Sequence, residues 1–385
     1  MTHDNRWTTV CSSLPAGRYF VQGDEACAEG ALAAGCDYYA GYPITPASEI
    51  MERINDRFAQ LEGRVFVQME DEIASIASVI GASWAGARSM TATSGPGLSL
   101  MLENIGYAII TETPCVIVDV QRAGPSTGQA TRPAQGDVMQ VRWGASGDYE
   151  IIALAPWSVQ ETYEHTIRAF NLADRFRVPV FVLMDEAIGH LRENLVVQAE
   201  IPFYPRRKDR GQPAFGGAEV PSMPSFGEQA RLLVTGSTHD EWGYRRTSSS
   251  EAQASLVARL SNKISNHRSE IAQVFHYECH DAPLDALLVA YGFSARSALG
   301  AVRMARAAGI KVGLLRLASL WPFPEEKVAA SLQLARRIIV AEMNRGQVLR
   351  EVRRLAPRAT GYQRTDGEVI SAGELSRAIQ EDLLR

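Results

Sequence analysis

No Cys-x-x-Cys pair occurs among the five cysteines, Cys11, Cys27, Cys36, Cys115 and Cys279. That argues against a disulfide framework and a zinc site, and against an iron–sulfur cluster held by this chain, which would need four clustered thiolates. Most of the thiols read instead as small buried hydrophobes. No stretch approaches the ~18 uninterrupted apolar residues of a membrane span. The first 17 residues carry Asp4 and Arg6 around no apolar centre, unlike a secretory signal. There is no basic run, and a net charge of -5 leaves no electrostatic footprint for nucleic acid. Sequence repeats and low-complexity tracts are missing too. These absences predict a soluble, cytoplasmic protein with neither membrane nor nucleic acid among its partners.

What is present is ordinary globular composition, 46% apolar and 22% charged, over 385 residues. That length suits two or three domains. Helical runs and short β-branched strands alternate from residue 24 to 185. Helices are expected over 24–34, from a Thr45 N-cap with Pro46 in the first turn, and over 71–86, 98–111 and 163–175; strands over 38–41, 65–69, 89–93, 115–120 and 180–184. Such βα alternation implies a parallel sheet covered on both faces. Residues 201–226, rich in Pro, Gly, Arg and Lys, read as an exposed linker, and 251–275 as a helix. A second α/β unit follows, with strands at 286–290, 311–317 and 338–341 and helices at 295–308 and 325–335.

Three segments carry candidate chemistry. The first runs from Glu72 through the small-residue helix to Thr93-Ser94-Gly95-Pro96-Gly97. Ile73, Ile76, Ala77, Ile80 and Trp84 fall at helical spacing as a buried stripe. Ala74, Ser78, Gly81, Ala82 and Ala85 leave another side open to close approach. Glu72 stands at the helix start, where the macrodipole favours a carboxylate; locally it reads equally well as an ordinary first-turn Glu, with Glu70 and Asp71 as competitors. The second segment is Gly41-Tyr42-Pro43-Ile44-Thr45-Pro46, where a Thr at a helix N-terminus could greet an anion or simply cap the helix. The third is Arg122-Ala123-Gly124-Pro125-Ser126-Thr127-Gly128-Gln129 leading to Asp137. Arg122 follows a strand end, where doubly wound sheets place ligands, and a guanidinium suits bidentate carboxylate recognition. Arg132, in the same loop, reads as a solvated Arg or as a contact for a second, distal carboxylate.

Taken together these segments resemble the 2-oxoacid:ferredoxin oxidoreductases. The Glu72 helix with Ser-Gly-Pro-Gly resembles the pyrimidine-binding domain of thiamine diphosphate enzymes, and Tyr42-Pro43-Ile44-Thr45-Pro46 resembles the family's Tyr-Pro-Ile-Thr-Pro motif. Ala290-Tyr291-Gly292, Leu320-Trp321-Pro322-Phe323-Pro324 and Glu342-Met343-Asn344-Arg345-Gly346-Gln347 are similar to its transketolase C-terminal-like domain. The implied fold class is α/β: a doubly wound pyrimidine-binding domain over 19–200 after an N-terminal extension (1–18), a linker and helical connection over 201–280, and a transketolase C-terminal-like domain over 281–385. The resemblance implies an alpha subunit in which Glu72 bonds the aminopyrimidine and shifts its tautomer, so that the cofactor supplies the hard chemistry. Ile44, Thr93, Ser94 and Gly95 would line the cofactor, and Thr45, Arg122, Ser126, Thr127 and Arg132 the substrate, with Glu72, Thr45 and Arg122 catalytic.

The family's Gly-Asp-Gly motif for the diphosphate and its metal is missing. Gly136-Asp137-Val138 and Gly147-Asp148-Tyr149 both lack the second Gly. The resemblance therefore implies a beta subunit holding the diphosphate, Mg2+ and a [4Fe-4S] cluster, with room for gamma and ferredoxin-like delta subunits, and no metal on this chain. Coenzyme A, ferredoxin and a 2-oxoacid, foremost 2-oxoglutarate, would be the reactants. Branched-chain 2-oxoacids or pyruvate, a non-redox 2-oxoacid decarboxylase subunit, and a non-catalytic scaffold subunit are the alternatives.

Overall fold

The computed structural model describes residues 6–384; Asp4 lies outside the described residues. Five strands form the parallel centre of the larger sheet, in the order Pro179–Asp185, Cys115–Ala123, Ser89–Thr93, Tyr38–Gly41 and Val65–Gln68. All nine residues of Cys115–Ala123 are buried, as expected for a parallel strand with both faces covered. From Tyr38–Gly41 the chain moves outward to Val65–Gln68, then returns to add Ser89–Thr93 on the opposite side. This reversal makes a topological switch point, and ligands of doubly wound sheets bind outside the strand C-termini at such a point. Thr45, Glu72, Ser94 and Arg122 all lie at or just past those C-termini.

The second sheet has five strands, ordered Val274–Tyr277, Val312–Leu317, Leu284–Ala290, Ala335–Glu342 and Thr360–Gln363. The two units are stitched together rather than merely adjacent. Ser319–Trp321, from the second unit, pairs antiparallel with Ile152–Leu154 of the first sheet. One apolar core runs through both, joining Ile76, Leu98 and Ile117 to Leu287, Leu315 and Trp321. The chain's start is tied down as well: Thr8–Cys11 pairs with Glu200–Phe203, and Gly17–Gln22 with Arg192–Val197.

Several expected elements differ. The second helix begins at Ser48, not at Thr45-Pro46, because residues 44–47 close a turn through Ala47 N–H to Ile44 O, 2.8 Å. Ser94-Gly95-Pro96-Gly97 is no free turn but the start of helix Gly95–Ile110, with Pro96 in its first turn. The expected helix over 251–275 is Ser250–Ser265, a short Arg268–Ile271 helix and the strand Val274–Tyr277, whose backbone the second sheet claims. Helix Glu325–Leu332 stops early, since Ala335 already belongs to a strand. In the Glu72–Trp84 helix the buried face is Glu72, Ser75, Ile76, Val79, Ile80, Ser83 and Trp84. Ile73 and Ala77 face outward. The face is rotated because Ser75 and Ser83 bury their hydroxyls against backbone carbonyls, of Asp71 at 2.7 Å and Pro114 at 2.6 Å.

Nor are residues 201–226 an exposed linker. Ala214, Phe215 and Met223 are buried, and the buried Arg177 side chain donates to the carbonyls of Glu112, Ala214 and Ser222. We propose that 19–200 and 281–385 still mark the two sheet-bearing units, with 201–280 folded over the first and lending a strand to the second. Cys27, Cys36 and Cys115 are buried, and burial pushes the Cys27 and Cys115 thiols up to about 12, so they are inert.

The 250–265 helix is held by a buried charge cluster. Lys263 Nζ donates to Glu112 Oε2 at 2.9 Å and to Arg177 O at 2.8 Å, and Arg259 pairs with the other Glu112 oxygen. Burial raises the Glu112 carboxyl, but the three cations outweigh it and hold it at about 2. Its stabilisation is therefore complete above the ordinary carboxylate value and lost as the pH falls toward 2. Lys263→Met, which strands part of a buried charge, should destabilise the fold by about 3–5 kcal/mol. Arg354→Met, which breaks an exposed pair, should cost under about 1 kcal/mol. Equal urea midpoints for the two variants would refute this ranking.

Candidate active site

Glu72 is the first residue of its helix, and Asp71 caps that helix by accepting from Ala74 N at 2.7 Å. The cap leaves Glu72 nearly buried, at 5% exposure, and among the described residues nothing donates to its carboxylate. Gly97, in the next helix's first turn, gives it room. A Cβ there would lie 2.5 Å from Glu72 Oε1 and would overlap Thr93 Oγ1. Glu72, Thr93 and Gly97 thus meet at one point. The buried Ser94 hydroxyl donates to Val120 O at 2.8 Å, locking the ends of two strands together.

Arg122, 8% exposed, extends Nη1 to Thr45 O at 2.6 Å. This bond joins the segment after Tyr38–Gly41 to the end of Cys115–Ala123. Thr45 is exposed and lies ahead of the helix that begins at Ser48, so it is no helix cap. Any hold it has on an anion must come through its hydroxyl and the neighbouring guanidinium rather than a helix dipole. Ile44 packs half-buried on the core beneath.

Arg122, Ser126 and Gly95 line a cavity of about 640 Å³ between the two sheet-bearing units. Its far wall, from the second unit, includes Asn344, Arg345, Arg364 and Glu368. Thr127 stands exposed in the loop. Arg132 forms an exposed 2.8 Å ion pair with Glu368. Asp137 lines the cavity, and the fully buried Asp119 lies behind it, the two carboxyl groups in contact. Burial and their mutual contact raise Asp119 well above the usual range, and burial lifts Asp137 to about 6. The Asp137 carboxylate thus disfavours ionisation of Asp119, on top of the cost of burial.

Sequence reasoning missed Arg345, Arg364, the Asp119–Asp137 pair and Gln135. Asp119, a lone charge inside an apolar strand, was a usable signal; Gln135 gave none. The Gln135 side chain makes four bonds. Oε1 accepts from Met343 N (3.0 Å) and Ser294 Oγ (2.9 Å), and Nε2 donates to Asp185 Oδ2 (3.1 Å) and Tyr291 O (3.0 Å). Around it Asn344 Nδ2 donates to Gln135 O (2.6 Å) and Met139 N to Gln347 Oε1 (2.8 Å). The Arg122 loop is thereby clamped to Glu342–Gln347.

A nearly buried carboxylate with no partner among the described residues, beside a glycine at a switch point, suits an aminopyrimidine ring. Comparison with known proteins agrees with this class. The model for "Pyruvate flavodoxin/ferredoxin oxidoreductase, thiamine diP-bdg" matches residues 29–259, and that for "Pyruvate:ferredoxin oxidoreductase core domain II" matches residues 285–375. The chain belongs to the pyruvate flavodoxin/ferredoxin oxidoreductase family. It is 50% identical over 347 residues to the 2-oxoglutarate synthase subunit KorA of Methanothermobacter marburgensis, covering 88% of this chain and 91% of that one. Identity to the ketoisovalerate oxidoreductase subunit VorB of the same organism is 40% over 365 residues, covering 94% and 97%. The 2-oxoglutarate:ferredoxin oxidoreductase of Magnetococcus marinus, solved with 2-oxoglutarate, coenzyme A and succinyl-CoA bound, superposes with a TM-score of 0.89 at 29% identity, covering 96% of this chain and 66% of that chain. A split-gene transketolase with a TM-score of 0.54 at 15% identity shares the fold alone.

Replacing Gln135 by Leu leaves the Met343 N–H and the Ser294 hydroxyl buried without their acceptor, while the Tyr291 carbonyl keeps the Ala295 N–H. At ~1–3 kcal/mol for each stranded group, the variant should lose about 3 kcal/mol or more. Hydrogen exchange should show the 133–141 and 342–347 segments opening together. Exchange protection unchanged in both segments would contradict the clamp.

Proposed function

We propose that this chain is the alpha subunit of a thiamine-diphosphate-dependent oxidoreductase that oxidatively decarboxylates 2-oxoglutarate to succinyl-CoA with reduction of ferredoxin, or runs the reverse carboxylation. The observation that carries it is Glu72, a nearly buried carboxylate without a partner among the described residues, set beside Gly97 at the switch point of the sheet. The pairing of Arg122 with Thr45 supports it. The 2-oxoglutarate substrate is favoured by the higher identity to the 2-oxoglutarate synthase subunit than to the ketoisovalerate subunit.

When bound, thiamine diphosphate supplies the nucleophilic carbon that the 2-oxoacid needs. Glu72 would hold the aminopyrimidine and its proton, with Thr93, Ser94, Gly95 and Ile44 around the ring. Arg122 and Thr45 would orient the 2-oxo carboxylate, and Ser126 and Thr127 would close over it. A scaffold subunit would have no need of Glu72, Thr45 or Arg122, and all three are present. The diphosphate, Mg2+ and iron–sulfur cluster are assigned to a partner beta subunit, with ferredoxin as electron acceptor. Beside Glu72 the exposed Ile73 heads an outward row whose other members, Ala77, Gly81 and Ala85, are exposed and small enough for close approach of that subunit.

Glu72→Gln should abolish 2-oxoglutarate-dependent reduction of a low-potential dye in the assembled complex, by ~100-fold or more, while assembly survives. Near-normal turnover in that variant would sink the assignment. Arg122→Ala should impair every 2-oxoacid. Arg132 is our candidate for the distal carboxylate, which would displace Glu368 from it. Arg132→Ala should therefore lower efficiency on 2-oxoglutarate relative to pyruvate, and an unchanged ratio would move that contact to the partner subunit.

A further inference from the structure

We propose that Asp24, Glu49 and His190 bind one divalent transition-metal ion of the Zn2+ or Mn2+ type, at a site separate from the substrate cavity. The three come from different elements: Asp24 from the first turn of helix Gly23–Ala33, Glu49 from the first turn of Ser48–Phe58, and His190 from the end of the short helix Glu186–His190. One ligand atom from each lies within 4.8 Å of the others. His190 Nε2 is 3.8 Å from Asp24 Oδ2 and 3.8 Å from Glu49 Oε1. Both distances are too long for hydrogen bonds, yet they suit atoms sharing an ion ~2.0–2.2 Å from each.

Asp24 supplies the independent observation. Its side chain is wholly buried, and among the described residues neither carboxylate oxygen has a hydrogen-bond partner. A carboxylate without hydrogen bonds is expensive to bury unless a cation meets it, and His190 at 3.8 Å is the side chain that would share such a cation. Gly189 helps to hold it close, since a Cβ there would come within 2.8 Å of Asp24 Oδ1. His190 Nδ1 lies 3.1 Å from Glu186 Oε1. An Nδ1–H donated to that carboxylate leaves the Nε2 lone pair facing Asp24 and Glu49, the carboxylate–histidine–metal arrangement of metal centres. Nε2 itself has no hydrogen-bond partner. One imidazole with two carboxylates selects a transition metal over Mg2+ or Ca2+, which prefer all-oxygen shells. Glu49 and His190 are 40% and 31% exposed, so water can complete the shell and the ion has a way in. Such an ion would brace the helix that follows the Tyr42–Pro46 segment against the two beside it. The sequence offered no motif for it, because the ligands lie far apart along the chain.

The test uses the full chain, stripped with EDTA and titrated with Zn2+ and Mn2+ by calorimetry and with Co2+ by visible absorption. We expect one ion per chain, with cobalt bands that depend on His190. His190→Ala, Asp24→Asn and Glu49→Gln should each weaken binding ~10-fold or more, and Glu186→Gln should weaken it through the imidazole. Should His190→Ala or Asp24→Asn fail to fold, Glu49→Gln, at a half-exposed carboxylate, still decides. No saturable binding at one equivalent, or binding unchanged in Glu49→Gln, would overturn the proposal.

Discussion

The site depends on the amide of Gln135. A buried primary amide has two donors and two acceptor positions, and all four are used, on groups from both sheet-bearing units. Without it Asp185, at the end of a central strand, would face the start of helix Gly292–Ala307 with less to satisfy it. Burial already lifts the Asp185 carboxyl to about 6, although the Phe293 and Ile188 N–H groups and the Gln135 amide oppose that rise. The apolar core shared by the units supplies the driving force for docking. The amide sets which registry of the two surfaces is allowed, since any slip strands several buried polar groups at once.

From that registry the chemistry follows. The Arg122 loop is pinned at Gln135 on one side and through Thr45 on the other, so the guanidinium cannot swing into solvent. The Asp119–Asp137 pair is buried close by, and burial raises both carboxyl pKa values, with the mutual contact adding to the rise at Asp119. Arg345 adds a second guanidinium to the cavity lining, whereas Arg364 is already paired with Asp366 and Glu374. Glu72 lies beside Gly97 and does not line that cavity.

Much of this was legible in the sequence. The βα alternation gave the parallel sheet, because strands buried on both faces must be apolar throughout. Glu72 and Arg122 stood out as charges at the ends of apolar elements. What failed was local: Thr45-Pro46 has the residue types of a helix start, but its backbone is taken by a turn, and Arg122 claims the Thr45 carbonyl. The 201–226 segment looked like a linker from its Pro, Gly and charge, yet Arg177 binds its carbonyls in the interior. Composition records the polarity of a segment and not which buried cation satisfies its backbone. Gln135 and the Asp24–Glu49–His190 group were invisible for a related reason: their partners are set by tertiary packing.

The central claim is that this chain carries half of a cofactor site, the pyrimidine half, and that the site is complete only across a subunit boundary. Calorimetric titration of thiamine diphosphate with Mg2+ into the chain, alone and then mixed with its partner subunit, measures this directly. The account predicts weak or undetectable binding to the chain alone and tight, stoichiometric binding once the partner is added, lost again in Glu72→Gln. Tight, stoichiometric binding to the isolated chain would contradict it.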